Sequence, residues 1–194
     1  SYKYQGVKNL MPVTINGNGS ITGLSVGGLG SGVVNTATLA DGAAVGSKLG
    51  AGSVIQAVSA TTTSTVQNTT TTYADTGLNA TINISAGSKV LIMCVQHLDV
   101  ERSSSTSARC AIKLLRGSTD IFVPPSNKNV GIEGASSAMV MFLPLHFSFL
   151  DTGASTGSNT YKLQGRVTST GNSPRVRFQD DGNPSTMTLL EIAG

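Results

Sequence analysis

The residues able to support catalysis are few, and their spacing does not form a catalytic pattern. His97 and His146 both lie in apolar, strand-like runs. A lone histidine in such a run is typical of a core or interface residue. Serines are numerous, but no order of Ser, His and Asp stands out as a nucleophilic triad. We therefore predict no catalytic residue and no enzymatic activity.

Three further patterns resemble binding motifs only in part. The turn Asp180-Asp181-Gly182-Asn183 lacks the regular oxygen spacing and the closing Glu of a calcium loop, so we expect a polar turn between strands. Asp99 and Glu101 alternate on one strand face, but Arg102 beside them favours solvated charge over a glycosidase pair. Gly27-Gly28-Leu29-Gly30 does not join an apolar strand to a helix, which argues against a phosphate cradle.

The two cysteines, Cys94 and Cys110, lie inside apolar strand-like runs. They have no Cys-x-x-Cys spacing and no pair of histidines nearby, so a zinc site is not expected. We predict buried free thiols in a protein assembled in a reducing cytoplasm, with a disulfide between neighbouring strands as the alternative. No metal and no cofactor is predicted.

Composition favours an all-β protein that does not bind nucleic acid. Charged residues make up 12% of the chain, aromatic residues 5%, and there are 23 glycines and no tryptophan. The formal net charge is +3, but the basic residues are spread along the chain, with no Lys/Arg run able to follow a phosphate backbone. Arg175 and Arg177 alternate on a predicted strand, which indicates a solvated strand face.

Neither a leader nor a membrane span is expected. The sequence starts at Ser1, as it would after removal of an initiator Met, and residues 1–10 have no apolar core region. The most apolar run, Met139 to Leu150, contains Pro144 and His146 and is too short to cross a bilayer. We therefore expect cytoplasmic synthesis and no membrane insertion.

A ten-residue repeat occupies the first third of the chain, and such a period is typical of repeat architectures. The recurring residues are Leu29, Gly32, Leu39, Gly42, Leu49 and Gly52. One leucine per unit buries too little surface to offset roughly 1–2 kcal/mol of backbone entropy per residue. We predict that residues 1–55 form an extended glycine-rich arm that assembles with other chains. In the alternative, the leucines dock on the chain's own sandwich.

Residues 56–194 predict a β-sandwich. Tyr161, Leu163, Gly165 and Val167 alternate with polar residues, as in a half-buried strand. The run Lys89 to Val100 is apolar on both faces, which indicates a central strand or one buried on both sides. About nine short strands separated by turn residues favour a jelly-roll-like sandwich.

Three segments resemble tailed-bacteriophage fibre proteins. Residues 38–49, Thr-Leu-Ala-Asp-Gly-Ala-Ala-Val-Gly-Ser-Lys-Leu, resemble the Leu-Ala-Asp-Gly-Ala-Val repeats of those fibres. Residues 60–78 are similar to the opening of their β-sandwich heads, and residues 187–194 to their C-terminal strand. The resemblance implies a homotrimer with its N-terminal part docked on the virion and its sandwich facing outward.

The leading hypothesis is a bacteriophage virion protein, a homotrimeric short fibre or spike that contributes to host attachment. Its partners are then copies of itself, other virion proteins through the N-terminal arm, and a host surface receptor or glycan. It is located in the virion after synthesis in the bacterial cytoplasm. One alternative is a capsid (head) decoration protein that stabilises the shell. Another is a carbohydrate-binding head that stacks sugars on Tyr73 and Tyr161, although the lack of Trp argues against it.

Overall fold

The computed structural model describes residues 14–15, 21–22, 49–103, 107–124, 130–133, 137–171 and 173–194. The chain divides into two units, residues 1–44 and 45–194. In the first unit, strands β1 (Thr14–Ile15) and β2 (Ile21–Thr22) pair antiparallel. They flank Asn16-Gly17-Asn18-Gly19, which predicts a tight turn and itself lies outside the described residues.

The second unit contains eleven strands among its described residues. They are β3 (Val54–Thr62), β4 (Val66–Asn68), β5 (Ala74–Ile84), β6 (Lys89–Arg102), β7 (Ala108–Arg116), β8 (Thr119–Phe122), β9 (Val130–Ile132), β10 (Met139–Asp151), β11 (Gly157–Val167), β12 (Arg175–Phe178) and β13 (Ser185–Ile192). A short 3-10 turn, Asp180–Gly182, separates β12 from β13. No helix in the described part of the chain has the length and apolar character needed to cross a membrane.

These strands form two antiparallel sheets with a shared core. In the first sheet, β10 pairs along one edge of β6, while β13 and β12 follow one another along the other edge. β3 lies beyond β13, and β4 lies beyond β12. The second sheet runs β5-β11-β7, with β8 and β9 both paired to β7. Because two antiparallel sheets pack on a shared core, the predicted all-β sandwich is confirmed.

Alternating side chains of both sheets fill the core. In β11, Tyr161, Leu163, Gly165 and Val167 all point inward and are buried, as their period of two predicts. Cys94 of β6 and Cys110 of β7 are also buried, and both are free thiols, so the alternative of a disulfide is wrong. Burial raises the pKa of each thiol to about 12, which keeps them protonated at neutral pH.

The threonine-rich tract after β3 is broken by a polar side chain. The sequence indicates high β propensity from Thr61 to Thr72, but β3 ends at Thr62 and only β4 follows before a loop. Asn68 at the end of β4 is buried, and its Nδ2 donates to the carbonyls of Thr72 and Gly165, both at 2.9 Å. Its Oδ1 accepts from the Thr70 amide at 2.8 Å. The bonds with Thr70 and Thr72 turn the chain after β4, and the bond to Gly165 ties this turn to β11 of the second sheet.

Gly165 allows the two sheets to approach closely. It is buried in β11, and a Cβ at this position would collide with the ring of Phe178, a buried residue of β12. We predict that Gly165→Ala lowers the free energy of unfolding by about 1–3 kcal/mol, because the phenyl ring has no room to move. Urea denaturation at a fixed protein concentration measures the change.

The matched control is Gly171→Ala, since a Cβ at Gly171 would have none of the described atoms of other segments within 4 Å. This variant should unfold at the same urea concentration as the wild type. Equal midpoints for both alanine variants would contradict the role assigned to Gly165.

Candidate functional site

The third repeat is the part of the arm for which side-chain positions are described. Leu49 and Gly52 belong to the same unit as the sandwich, whereas Leu29, Gly32, Leu39 and Gly42 lie outside the described residues. The proposed grouping of the three leucines in apolar layers therefore stays a prediction. Leu49 itself is 37% exposed and lies beside an open hollow of about 380 Å³, which Ile55, Ala86 and Ala193 also line.

The third repeat is hydrogen-bonded to the C-terminal end of the sandwich. The amide of Gly52 donates to the carbonyl of Ala193 at 2.8 Å, and the amide of Ala193 donates to the carbonyl of Ser53 at 2.9 Å. Gly52 has φ +86°, a left-handed conformation that suits glycine and lets the chain turn into β3. The repeat is thus joined directly to the sandwich at the end of β13.

A buried carboxylate supports this junction. Glu191 of β13 is buried, and its two oxygens accept from the amide of Ser85 at 2.7 Å and from Nε2 of Gln56 at 2.6 Å. Burial by itself raises the pKa of Glu191, but these hydrogen bonds and those from Ser88 outweigh it and hold the pKa below its ordinary value. The carboxylate is therefore an ionised structural group that ties β3, β13 and the β5–β6 turn together.

The middle of the first sheet's outer face carries no charged side chain, while Lys89 of β6 lies beyond it at one end and Asp99 and Glu101 lie beyond it at the other. Its outward residues form three rows across β3, β13, β6 and β10, and we call them the neutral face. They are Ala57, Ser59, Thr61, Leu91, Met93, Val95, His146, Ser148, Leu150, Thr186, Thr188 and Leu190. Met93 is 41% exposed and Leu150 is 46% exposed, so large apolar groups of this face meet solvent.

A cluster of ion pairs borders the neutral face at one end. Asp99 is fully buried, and its Oδ2 accepts from Nε and Nη2 of Arg177 at 3.0 and 2.7 Å. Arg177 also lies 3.2 Å from Asp180, and Glu101 pairs with Arg175. Hydrogen bonding to Asp99 raises the pKa of Arg177; the nearby carboxylates reinforce this shift, and burial opposes it.

These pairs correct two expectations drawn from the sequence. Arg175 and Arg177 lie on a strand as predicted, but they are partly buried and paired with Glu101 and Asp99, and are not free charges in solvent. Arg102 points to the opposite side of β6 from Asp99, is buried, and donates to the carbonyl of Ser137 at 2.9 Å. The predicted polar turn at residues 180–183 is confirmed, with Asn183 Nδ2 donating to the carbonyl of Asp180 at 2.8 Å.

The outer face of the second sheet has the opposite character. Ion pairs join its strands and the loop beyond β9: Lys113–Asp120, Lys162–Asp75 and Arg109–Glu133. Exposed polar residues such as Asn79 and Thr81 fill the positions between them. A face of this kind is stable in contact with water. The outer face of the second sheet thus suits solvent better than the neutral face does.

A second apolar surface lies where β10 meets β8, and we call it the open side. The ring of Phe122 contacts those of Phe147 and Phe149, with centroids 6.0 Å apart in each case. Phe122 is nevertheless 36% exposed, and Val123 beside it is 42% exposed. The open side and the neutral face thus adjoin each other along β10.

Neither histidine belongs to a metal-binding group in the described part of the chain. His146 is exposed on the neutral face, and His97 is half-buried next to it, so neither is a fully buried core residue. Among the described residues, no three of His, Cys, Asp and Glu are close enough together to hold a metal ion. Tyr161 is fully buried and Tyr73 packs under Lys113 and Arg166, so neither ring is an open platform for a sugar.

Sequence reasoning missed the neutral face, although a signal for it is present. The run Lys89 to Val100 is apolar on both faces, and β6 is indeed central in its sheet. Leu91, Met93 and Val95 point away from the core, so the second apolar face of the strand has no covering layer among the described residues. The same double-sided pattern recurs in β10, where Leu143 points inward and Phe142 is 65% exposed.

Comparisons with known proteins give only distant likenesses. No family model matches the sequence, and no curated protein matches it. The chain is similar to a structure of infectious bursal disease virus, Gt strain, with a TM-score of 0.34 and 12% identity over 73% of this chain and 39% of that chain. It is also similar to that virus's VP2 subviral particle, with a TM-score of 0.33 and 12% identity over 73% of this chain and 39% of that one.

A third similar structure is dimeric latent PorU from Porphyromonas gingivalis, with a TM-score of 0.28 and 10% identity. The match covers 74% of this chain and 14% of that chain. The chain thus spans well under half the length of these proteins. At such TM-scores, the likenesses indicate nothing about its function.

The lowered pKa of Glu191 predicts a loss of stability in acid. A carboxylate whose folded pKa lies below its unfolded value stabilises the fold above the unfolded pKa, and that stabilisation is lost as pH falls through the folded pKa. The ordinary value is 4.5. We therefore expect the wild type to lose more of its free energy of unfolding than Glu191→Gln between pH 6 and pH 3.

Urea denaturation at pH 6, 5, 4 and 3 measures this difference. At pH 6 the variant should be the less stable protein, because Gln cannot accept both bonds as an anion does. The two proteins should converge as the carboxylate is protonated. A constant gap across this pH range would contradict the assignment.

Proposed function

We propose that this protein is a non-enzymatic structural component of a bacteriophage virion, a homotrimeric short fibre or spike that contributes to host attachment. The observation that carries the proposal is the direct junction between the third repeat and the sandwich, made by Gly52, Ser53 and Ala193. A repeat arm that continues into a folded head is the architecture that a fibre subunit needs. The resemblance of residues 38–49 to fibre repeats supports the same assignment.

Physical arguments support partner chains for the arm. A decapeptide unit with one leucine does not bury enough apolar surface to hold itself. Leu49, the leucine whose surroundings are described, keeps more than a third of its surface exposed even though its repeat is bonded to the sandwich. Three copies brought together would cover such leucines in a shared layer, while the glycines permit close approach of the chains.

The oligomeric state is the first test. Light scattering coupled to size exclusion should give three times the chain mass of 19.8 kDa at micromolar concentration. A stable monomer under the same conditions would contradict the proposal, since neither the arm nor the sandwich would then require partners.

The second test locates the role on the particle. Virions that lack the protein should have intact heads and impaired adsorption to the host, and adding back the purified protein should restore adsorption. Fragile heads with normal adsorption would support the decoration protein and contradict the fibre.

A further inference from the structure

We propose that the neutral face is where sandwiches of neighbouring copies meet, packed by the open side of the adjacent copy around a three-fold axis. This inference rests on the proposed homotrimer and names the surfaces that build it. It concerns the sandwich, and so adds a second set of contacts to those expected of the arm.

Charge distribution favours another copy of this chain as the occupant. The neutral face has no Lys, Arg, Asp or Glu. Burying it therefore removes none of these charged groups from water. At one border the charged residues neutralise one another through Arg177 with Asp99 and Arg175 with Glu101. At the other border Lys89 of β6 lies one row beyond Leu91, outside the face. A face without charge does not require a partner of opposite charge. The described residues of the open side, Phe122, Val123, Phe147 and Phe149, are uncharged and can cover it without like-charge repulsion.

The size of the face also suits a subunit contact. Four strands at about 4.8 Å spacing and three rows at about 6.8 Å give a patch of roughly 400 Å² in projection. Phe142 and Pro144 extend this patch along β10. Stable interfaces bury about 800 Å² of accessible surface per partner, so the neutral face alone supplies about half of that area in projection, and the β10 margin adds to it. A shallow hollow of about 450 Å³ over Met93, His146 and Thr188 can receive protruding side chains.

The number of copies determines which surfaces meet. An isologous contact, in which the same patch meets itself, produces dimers, whereas a closed ring of three needs two different patches on each copy. The neutral face and the open side are two apolar patches that adjoin along β10. A ring in which each neutral face meets a neighbour's open side covers both patches on every copy.

Side-chain packing, and not strand addition, is the contact that β10 favours. No described strand pairs with the second edge of β10. The amide of His97 donates to Ser185 and its carbonyl accepts from Gln179, so both point away from β10. His97 is opposite Pro144, which places the proline nitrogen on the free edge. That edge therefore lacks a donor at its middle and carries a bulky ring, which hinders pairing with another strand.

Two serine substitutions in the full chain test the face. Ser148 and Ser158 are both exposed strand residues, the first on the neutral face and the second on the outer face of the second sheet. Ser148→Lys should weaken trimer formation by about 100-fold or more, because each contact would bury an unpaired ammonium group. Ser158→Lys should assemble as the wild type does. Sedimentation equilibrium over a concentration series gives the trimer association constant of each variant. Circular dichroism checks that each variant is folded.

The outcomes separate this inference from the proposed function. A trimeric wild type with an unweakened Ser148→Lys variant would overturn the inference and leave the homotrimer in place. A monomeric wild type would overturn both.

Val123→Lys tests the open side in the same way and should also weaken the trimer. If Ser148→Lys dissociates the trimer and Val123→Lys does not, the pairing of neutral face with open side is wrong.

Discussion

Strand β6 is the element on which the rest of the sandwich depends, because neighbours occupy both of its edges. β10 follows one edge from Arg102 to Val90, while β13 and β12 share the other. Its inward residues lie at the centre of the core, and three of its outward residues, Leu91, Met93 and Val95, are apolar as well. Covering both faces of such a strand removes more apolar surface from water than covering one face alone. The second sheet covers one face, and the other is the basis of the proposed assembly.

The two outer faces of the sandwich distribute charge unequally. The second sheet exposes ion pairs between adjacent strands, and such pairs keep a surface solvated while adding little to stability. In the first sheet, charged residues flank the neutral face; at one end Lys89 lies on the outer face, and at the other end Arg177 compensates the buried Asp99. A buried carboxylate without that partner would be strongly destabilising, so Arg177 permits charge at the border of an otherwise neutral face.

The sequence alone predicted most strands but little of the candidate site. Alternation in β11 and the apolar run of β6 are local signals, and both elements lie where they were expected. Strand β9 has three residues, too few for a period to be read. The pairing of Arg177 with Asp99 joins residues 78 positions apart, so only the register of β12 against β6 brings them together. The β propensity of the threonine-rich tract predicts a strand up to Thr72, but the hydrogen bonds of Asn68 end β4 at that residue.

The amino-acid sequence by itself determined the all-β class, the central position of β6, the buried thiols and the repeat at Leu29, Leu39 and Leu49. These follow from period, propensity and composition, which are properties of neighbouring residues. Only the tertiary structure decided which apolar face of β6 is covered and where the third repeat is bonded. It also showed that the neutral face and the open side adjoin along β10. The reason is physical: the sequence shows that a strand has two apolar faces, but burial depends on which other strands pack against them.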